Sequence, residues 1–238
     1  MTRLDAAEIS TLGYLRDLGF EDLRRPETAA AQTSSRVSSA ALDAAPIVRT
    51  PEERLALLES CSTEAQGCTA CRLATTRQKV VFGSGDPQAR LLFIGEGPGA
   101  EEDKQGLPFV GRAGELLTKI IEAISLRRED VYIANVVKCR PPGNRDPEPD
   151  EVAACRGFLE RQIDLIEPRL LVVLGRIAAH TLLGNETPIS KMRGKWYEIR
   201  GLPAMVTFHP AALLRNPALK RSVWEDMQQV RDRLASFD

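Results

Sequence analysis

The residues able to do chemistry fall into two sets: cysteines at ligand spacing, and an asparagine, a histidine and carboxylates placed where strands end. Cys68 and Cys71 form a C-x2-C pair, a spacing that lets two thiolates grip one metal ion or one cluster edge. Cys139 follows an apolar segment directly, and Cys155 lies in the helical stretch after it. Four thiolates hold either a tetrahedral zinc ion or a 4Fe–4S cluster. The spacing is wide and irregular, unlike a compact zinc ribbon, which favours a cluster. Cys61 stands apart from this set and reads as an inert buried thiol.

The second set begins with Gly95-Glu96-Gly97-Pro98-Gly99, a glycine loop after an apolar run. It lacks the lysine-serine ending of a phosphate-binding P-loop. It also lacks the G-x-G-x-x-G spacing of a dinucleotide site, so no nucleotide cofactor is expected. Glu102 and Phe109 follow within the next ten residues, the latter between Pro108 and two glycines, Gly111 and Gly114. An aromatic held this way can offer its face to a planar ring, or can be ordinary core. Asn135 ends a second apolar run and His209 ends another. Each could instead satisfy nearby backbone or cap a helix. His180 has no surrounding motif and reads as structural.

These groups must be positioned by the elements around them. Leu91–Ile94, Val131–Val137, Leu170–Leu174 and Ala204–Phe208 read as buried strands, apolar without strict alternation. Between and around them, residues 52–59, 114–124, 149–166, 176–183 and 219–234 read as helices. Such a pattern predicts an α/β fold: three layers, α/β/α, around a central, mostly parallel, four-stranded sheet covered on both faces. In folds of this kind ligands bind beyond the carboxyl ends of the strands. The loop after Ile94, Asn135 and His209 all fall there.

Residues 1–50 differ from the rest. Ile9, Leu12, Leu15 and Leu18 are at helical spacing, and Pro26 to Pro51 is rich in Ala, Ser and Thr, a composition that builds little core. An appendage of short helix plus flexible linker is expected, followed by one domain over residues 51–238. The 32 basic and 33 acidic residues nearly cancel, so any nucleic-acid contact must come from a local patch. No run of apolar residues is long enough for a membrane span, and no secretory leader is evident. A cytoplasmic protein is expected, whose five cysteines sit in a reducing compartment where structural disulfides are rare.

Taken together, four segments resemble the family-four uracil-DNA glycosylases. The glycine loop with Glu102-Asp103 and Pro108-Phe109-Val110-Gly111-Arg112-Ala113-Gly114 is similar to the family's first motif. Tyr132 to Pro142, with Asn135 and Cys139 inside it, resembles the second strand with its embedded ligand. Phe208-His209-Pro210 followed by Leu213-Leu214-Arg215-Asn216-Pro217 resembles the closing motif. The cysteines at 68, 71, 139 and 155 match the family's cluster pattern in order and spacing. The similarity runs from about Gly67 to the C-terminus.

That resemblance implies a uracil-DNA glycosylase fold carrying a structural 4Fe–4S cluster on Cys68, Cys71, Cys139 and Cys155. It implies excision of uracil from single- or double-stranded DNA by a monomer. Phe109 would stack on the flipped base, and Asn135 would read its N3–H and O4. His209 would hydrogen-bond O2. Glu96, the carboxylate nearest to Gly97, where other uracil glycosylases carry an aspartate, would orient water or hold the loop. Glu102 would exclude the methyl group of thymine. Leu213 or Leu214 would wedge into the duplex, and Arg215, Lys220 and Arg221, joined by Arg112 and Arg140, would face phosphates. Three competing readings remain at this stage: a relative that traps uracil sites covalently, a cluster-bearing module attached to a polymerase, and a small-molecule hydrolase on the same scaffold.

Overall fold

The computed structural model describes residues 49–237. The helix expected between Asp5 and Leu18 lies outside them, as does all but the end of the expected linker. The first described helix, α1 (Pro51–Gln66), begins at a capping box. Thr50 Oγ1 accepts the Glu53 N–H and Glu53 Oε2 accepts the Thr50 N–H, which satisfies two amides that the helix start leaves bare. It runs past the expected end because Cys61 and Ala65 continue its buried face.

The sheet has six strands in the order β1-β3-β2-β4-β6-β5. These are β1 (Ser84–Gly85), β2 (Leu91–Gly95), β3 (Tyr132–Asn135), β4 (Leu170–Leu174), β5 (Trp196–Ile199) and β6 (Leu202–Thr207). The four strands read from the sequence are the parallel centre, β3-β2-β4-β6. The count of four is corrected to six by two antiparallel edge strands. Both escaped notice because neither is a buried apolar run: β1 has two residues, and β5 is buried only at Ile199.

β2 and β4 are buried at every position, and successive side chains feed two separate cores. Leu92, Ile94, Tyr132, Leu171 and Val173 pack with α1, α4 (Pro149–Ile166) and α5 (Arg176–Leu183). Leu91, Phe93, Ile133, Leu170 and Val172 pack with α3 (Arg112–Ala123) and α8 (Lys220–Ala235). Between these lie three short helices, α2 (Ala100–Gln105), α6 (Ile189–Met192) and α7 (Pro210–Arg215). The chain leaves β2 toward β3 on one side and reaches β4 on the other, so the topological switch lies between β2 and β4. A cleft opens there, at the carboxyl ends of the strands.

Beyond Asn135 the chain does not extend β3 as the sequence suggested. Instead the Val136 and Val137 amides donate to the carbonyls of Gly95 and Glu96, binding the glycine loop to the segment that leads into Cys139. No helix among the described residues is long and apolar enough to cross a membrane.

Candidate active site

A cavity of about 560 Å³ opens at the strand ends, and its walls include Glu96, Glu102, Phe109, Asn135, His209 and Arg215. These come from five separate segments of the chain.

Asn135 closes β3 opposite Gly95 in register. It is 1% exposed, and its side-chain carbonyl Oδ1 has no hydrogen-bond partner. A buried acceptor left bare costs about 1–3 kcal/mol, so a ligand that donates to it recovers that amount. The room for this amide comes from Gly95: a Cβ there would overlap Asn135 Oδ1 and reach within 2.7 Å of the Phe109 ring.

Phe109 sits at φ 50°, a left-handed conformation that a large L-residue adopts only when its surroundings enforce it. Three contacts do so. Glu102 Oε1 accepts the Val110 and Gly111 N–H groups, both at 2.9 Å. Arg128 donates to the Pro108 carbonyl at 2.6 Å. Gly114 has no side chain where one would collide with the Phe109 carbonyl. The ring is 6% exposed and lies 5.4 Å from the His209 imidazole, tilted by 31°.

His209 is the N-cap of α7, and its Nδ1 accepts the Ala211 N–H at 3.1 Å. A backbone amide can only donate, so Nδ1 must be the bare nitrogen and Nε2 carries the proton. Enclosure in the cavity, reinforced by the Arg215 charge and opposed by Glu102, pushes the imidazole down to about 4. The ring is therefore a neutral N–H donor at neutral pH. Gly175, at φ 90°, brings the start of α5 against it, where a Cβ would stand 2.8 Å from that of His209.

Glu96 follows Gly95 into the cavity wall. Burial, reinforced by the nearby Asp146 carboxylate and offset by Arg176, pushes its carboxyl up to about 7. Asp146 and Arg176 are themselves paired at 2.6 Å. Sequence reading missed both; the one available hint was Gly175, which closes a buried strand just before Arg176. Gly97 cannot be exchanged freely for a larger residue, because a Cβ would come 2.7 Å from Val137 Cγ2.

The closing motif divides. Leu213 is 1% exposed in the core beneath α3 and α8, so it is not available as a wedge, which corrects that part of the reading. Leu214 is 40% exposed, and Arg215, Lys220 and Arg221 are exposed beside it. Arg112, at the start of α3, is exposed as well, and Arg140 donates to the Asn144 side chain at 2.7 Å. His180 contacts the Thr187 carbonyl at 2.9 Å, as a structural histidine would.

The cysteines gather on the other face of the sheet. Cys68, Cys71, Cys139 and Cys155 line one small enclosure, with Arg77 and Lys138 in its wall. No group of three or more His, Cys, Asp or Glu among the described residues is arranged to hold a single metal ion. Four thiols around a shared enclosure are a ligand set that a zinc ion or an iron–sulfur cluster can use. N–H donors already face the sulfurs: Arg77 Nη1 lies 3.4 Å from Cys139 Sγ, and the Lys138 amide 3.2 Å from Cys155 Sγ. Burial pushes the Cys139 thiol up to about 11 and the Cys155 thiol upward, so a cation is needed to hold them as thiolates. Cys61 is buried in α1, outside this enclosure.

Comparison with known proteins agrees with this geometry. Residues 82–228 match the model of the uracil DNA glycosylase superfamily. The chain is 49% identical to a type-4 uracil-DNA glycosylase of Thermotoga maritima, over 74% of this chain and 93% of that protein. It is 46% identical to one of Sulfurisphaera tokodaii, over 74% of this chain and 84% of the other. A third, from Saccharolobus solfataricus, is 45% identical over 75% of this chain and 87% of its own length. A cavity ringed by a base-sized aromatic, a bare amide and a neutral imidazole, together with these relatives, establishes that the chain belongs to the uracil DNA glycosylase superfamily.

Proposed function

We propose that this protein excises uracil from DNA by hydrolysing its N-glycosidic bond. The observation that carries the reading is the bare, buried Oδ1 of Asn135 in a cavity walled by Phe109 and His209. A duplex hides the glycosidic carbon, so the nucleotide is extruded into the cavity. Phe109 stacks on the ring. Asn135 accepts from N3–H through Oδ1 and donates to O4 through its amide nitrogen. Cytosine presents an acceptor at N3 and a donor at N4, which reverses both and leaves buried groups unpaired at about 1–3 kcal/mol each.

The bond from C1′ to N1 then breaks, with its electron pair leaving on the base. The negative charge gathers at O2, where the protonated Nε2 of His209 donates. Water adds to C1′ and gives its proton to the Glu96 carboxylate, whose raised pKa suits a base near neutral pH. Uracil takes up a proton from solvent. Glu102 fixes the loop that carries Phe109 and excludes a methyl group at C5. Leu214 fills the space left by the extruded base, and Arg215, Lys220, Arg221, Arg112 and Arg140 face phosphates.

Cys68, Cys71, Cys139 and Cys155 hold a 4Fe–4S cluster that ties the C-x2-C loop to the segments after β3 and within α4. Its contribution is structural. The enzyme acts as a monomer in a reducing, cytoplasmic setting, with residues 1–50 as an appendage to a catalytic domain over 51–238.

Incubation with an oligonucleotide bearing one uracil, followed by alkali, tests the proposal. Repeated turnover on uracil, none on cytosine or thymine, and its loss in Asn135→Ala are expected. A protein-bound band without turnover would replace the enzyme by a covalent trap.

A further inference from the structure

Lys138 is 1% exposed and forms no ion pair with a carboxylate among the described residues. A lone buried ammonium is expensive to place in a protein core, and this one is held by neutral oxygens. Its Nζ donates to the Asn135 main-chain carbonyl at 2.8 Å and to Gln162 Oε1. Gln162, itself fully buried, is fixed in turn by donating to the Phe82 carbonyl at 2.9 Å. The Phe82 ring lies 5.8 Å below the ammonium. The same residue lines the cysteine enclosure, and its amide donates to Cys155 Sγ. Lys138 thus joins the residue that reads the base to the residues that hold the cluster.

The consequence is electrostatic. Uracil departs as an anion, and four thiolates around a cluster would put negative charge behind the cavity where that anion forms. A cation lodged between the two, one residue's carbonyl away from the reading amide, opposes that charge in a medium that screens it poorly. We propose that Lys138 supplies the positive charge behind the uracil pocket that favours departure of the base. It acts through its field, without touching the substrate. The proposal rests on the glycosylase reading above. A wild-type protein without turnover would remove that reading first, before any variant is compared.

Lys138→Met removes the charge at nearly constant volume, and Lys138→Gln is a second neutral variant that can still donate to one carbonyl. Single-turnover rates on uracil are expected to fall by about tenfold or more. Affinity for an oligonucleotide carrying non-cleavable 2′-fluorouridine should stay within about twofold of wild type, because the ground state carries no charge on the ring. Visible cluster absorption should be retained. The distinguishing measurement uses 5-fluorouracil, a better leaving group whose bond breaks with less charge on the base. Its defect should be smaller than that of uracil. Equal loss on both bases, an unchanged rate on uracil, or loss of cluster and fold in both neutral variants would each overturn the proposal and leave Lys138 a structural residue.

Discussion

The imidazole of His209 and the ring of Phe109 stand 5.4 Å apart, tilted by 31°, although 99 residues lie between them in sequence. The contact joins the loop after α2 to the start of α7 and encloses the histidine on the side away from solvent. Because its folded pKa is about 4, below the ordinary 6.5, the unfolded state binds the proton first as pH falls. His209 therefore contributes stability above pH 6.5 that is lost progressively toward about 4. An NMR titration of the imidazole nitrogens should show a neutral ring protonated at Nε2 throughout the range from 6 to 8. His209→Ala should lower kcat by about 10²–10³-fold with little change in KM.

Glu96 has the opposite sense. Its carboxyl is raised to about 7, and the base is the ionised form. The value of kcat/KM should therefore climb as pH rises through about 7 and level off above it. Glu96→Gln should be slower by about 10²–10⁴-fold and should lose this limb. A Gln variant that kept the same limb would assign it to another group.

Gly95→Ala should disable the site without unfolding the sheet. The added methyl overlaps Asn135 Oδ1 and crowds the Phe109 ring, so the amide must move out of register with the base. Activity on uracil should drop by at least about 10²-fold, while the thermal midpoint falls only modestly. Gly97→Asp meets Val137 Cγ2 in the same way, so it should not restore a Glu96→Gln enzyme.

Neighbouring leucines should behave differently. Leu214→Ala should leave the thermal midpoint unchanged and slow excision from duplex DNA more than from single strands, since only a duplex leaves a gap to fill. Leu213→Ala opens a hole in the core and should cost about 2–5 kcal/mol of stability, read by denaturant unfolding. A reversal of these effects would misplace the wedge.

Purified anaerobically, the protein should be brown, with iron and acid-labile sulfide in equal amounts. Cys155→Ala should lose the colour and much of the stability, whereas Cys61→Ala should keep the colour, since Cys61 lies outside the enclosure.

The sequence by itself determined the parallel centre of the sheet, because strands buried on both faces must be apolar at every position, as in Leu91–Ile94 and Leu170–Leu174. It also placed Asn135 and His209 at strand ends, where such folds keep their ligands. The edges were not legible in the same way. β5 is joined to β6 through Arg200 and Gly201, both at positive φ, and is itself buried at only one of its four positions, so it does not read as a buried strand.

Only the tertiary structure separated Leu213 from Leu214, since both are leucines on one short helix and the packing of α3 and α8 decides which is covered. It likewise turned Glu102 into the clamp of the Phe109 loop and set Lys138 beneath Asn135. Such roles depend on which distant backbone groups a side chain meets, and no local pattern of residues records that.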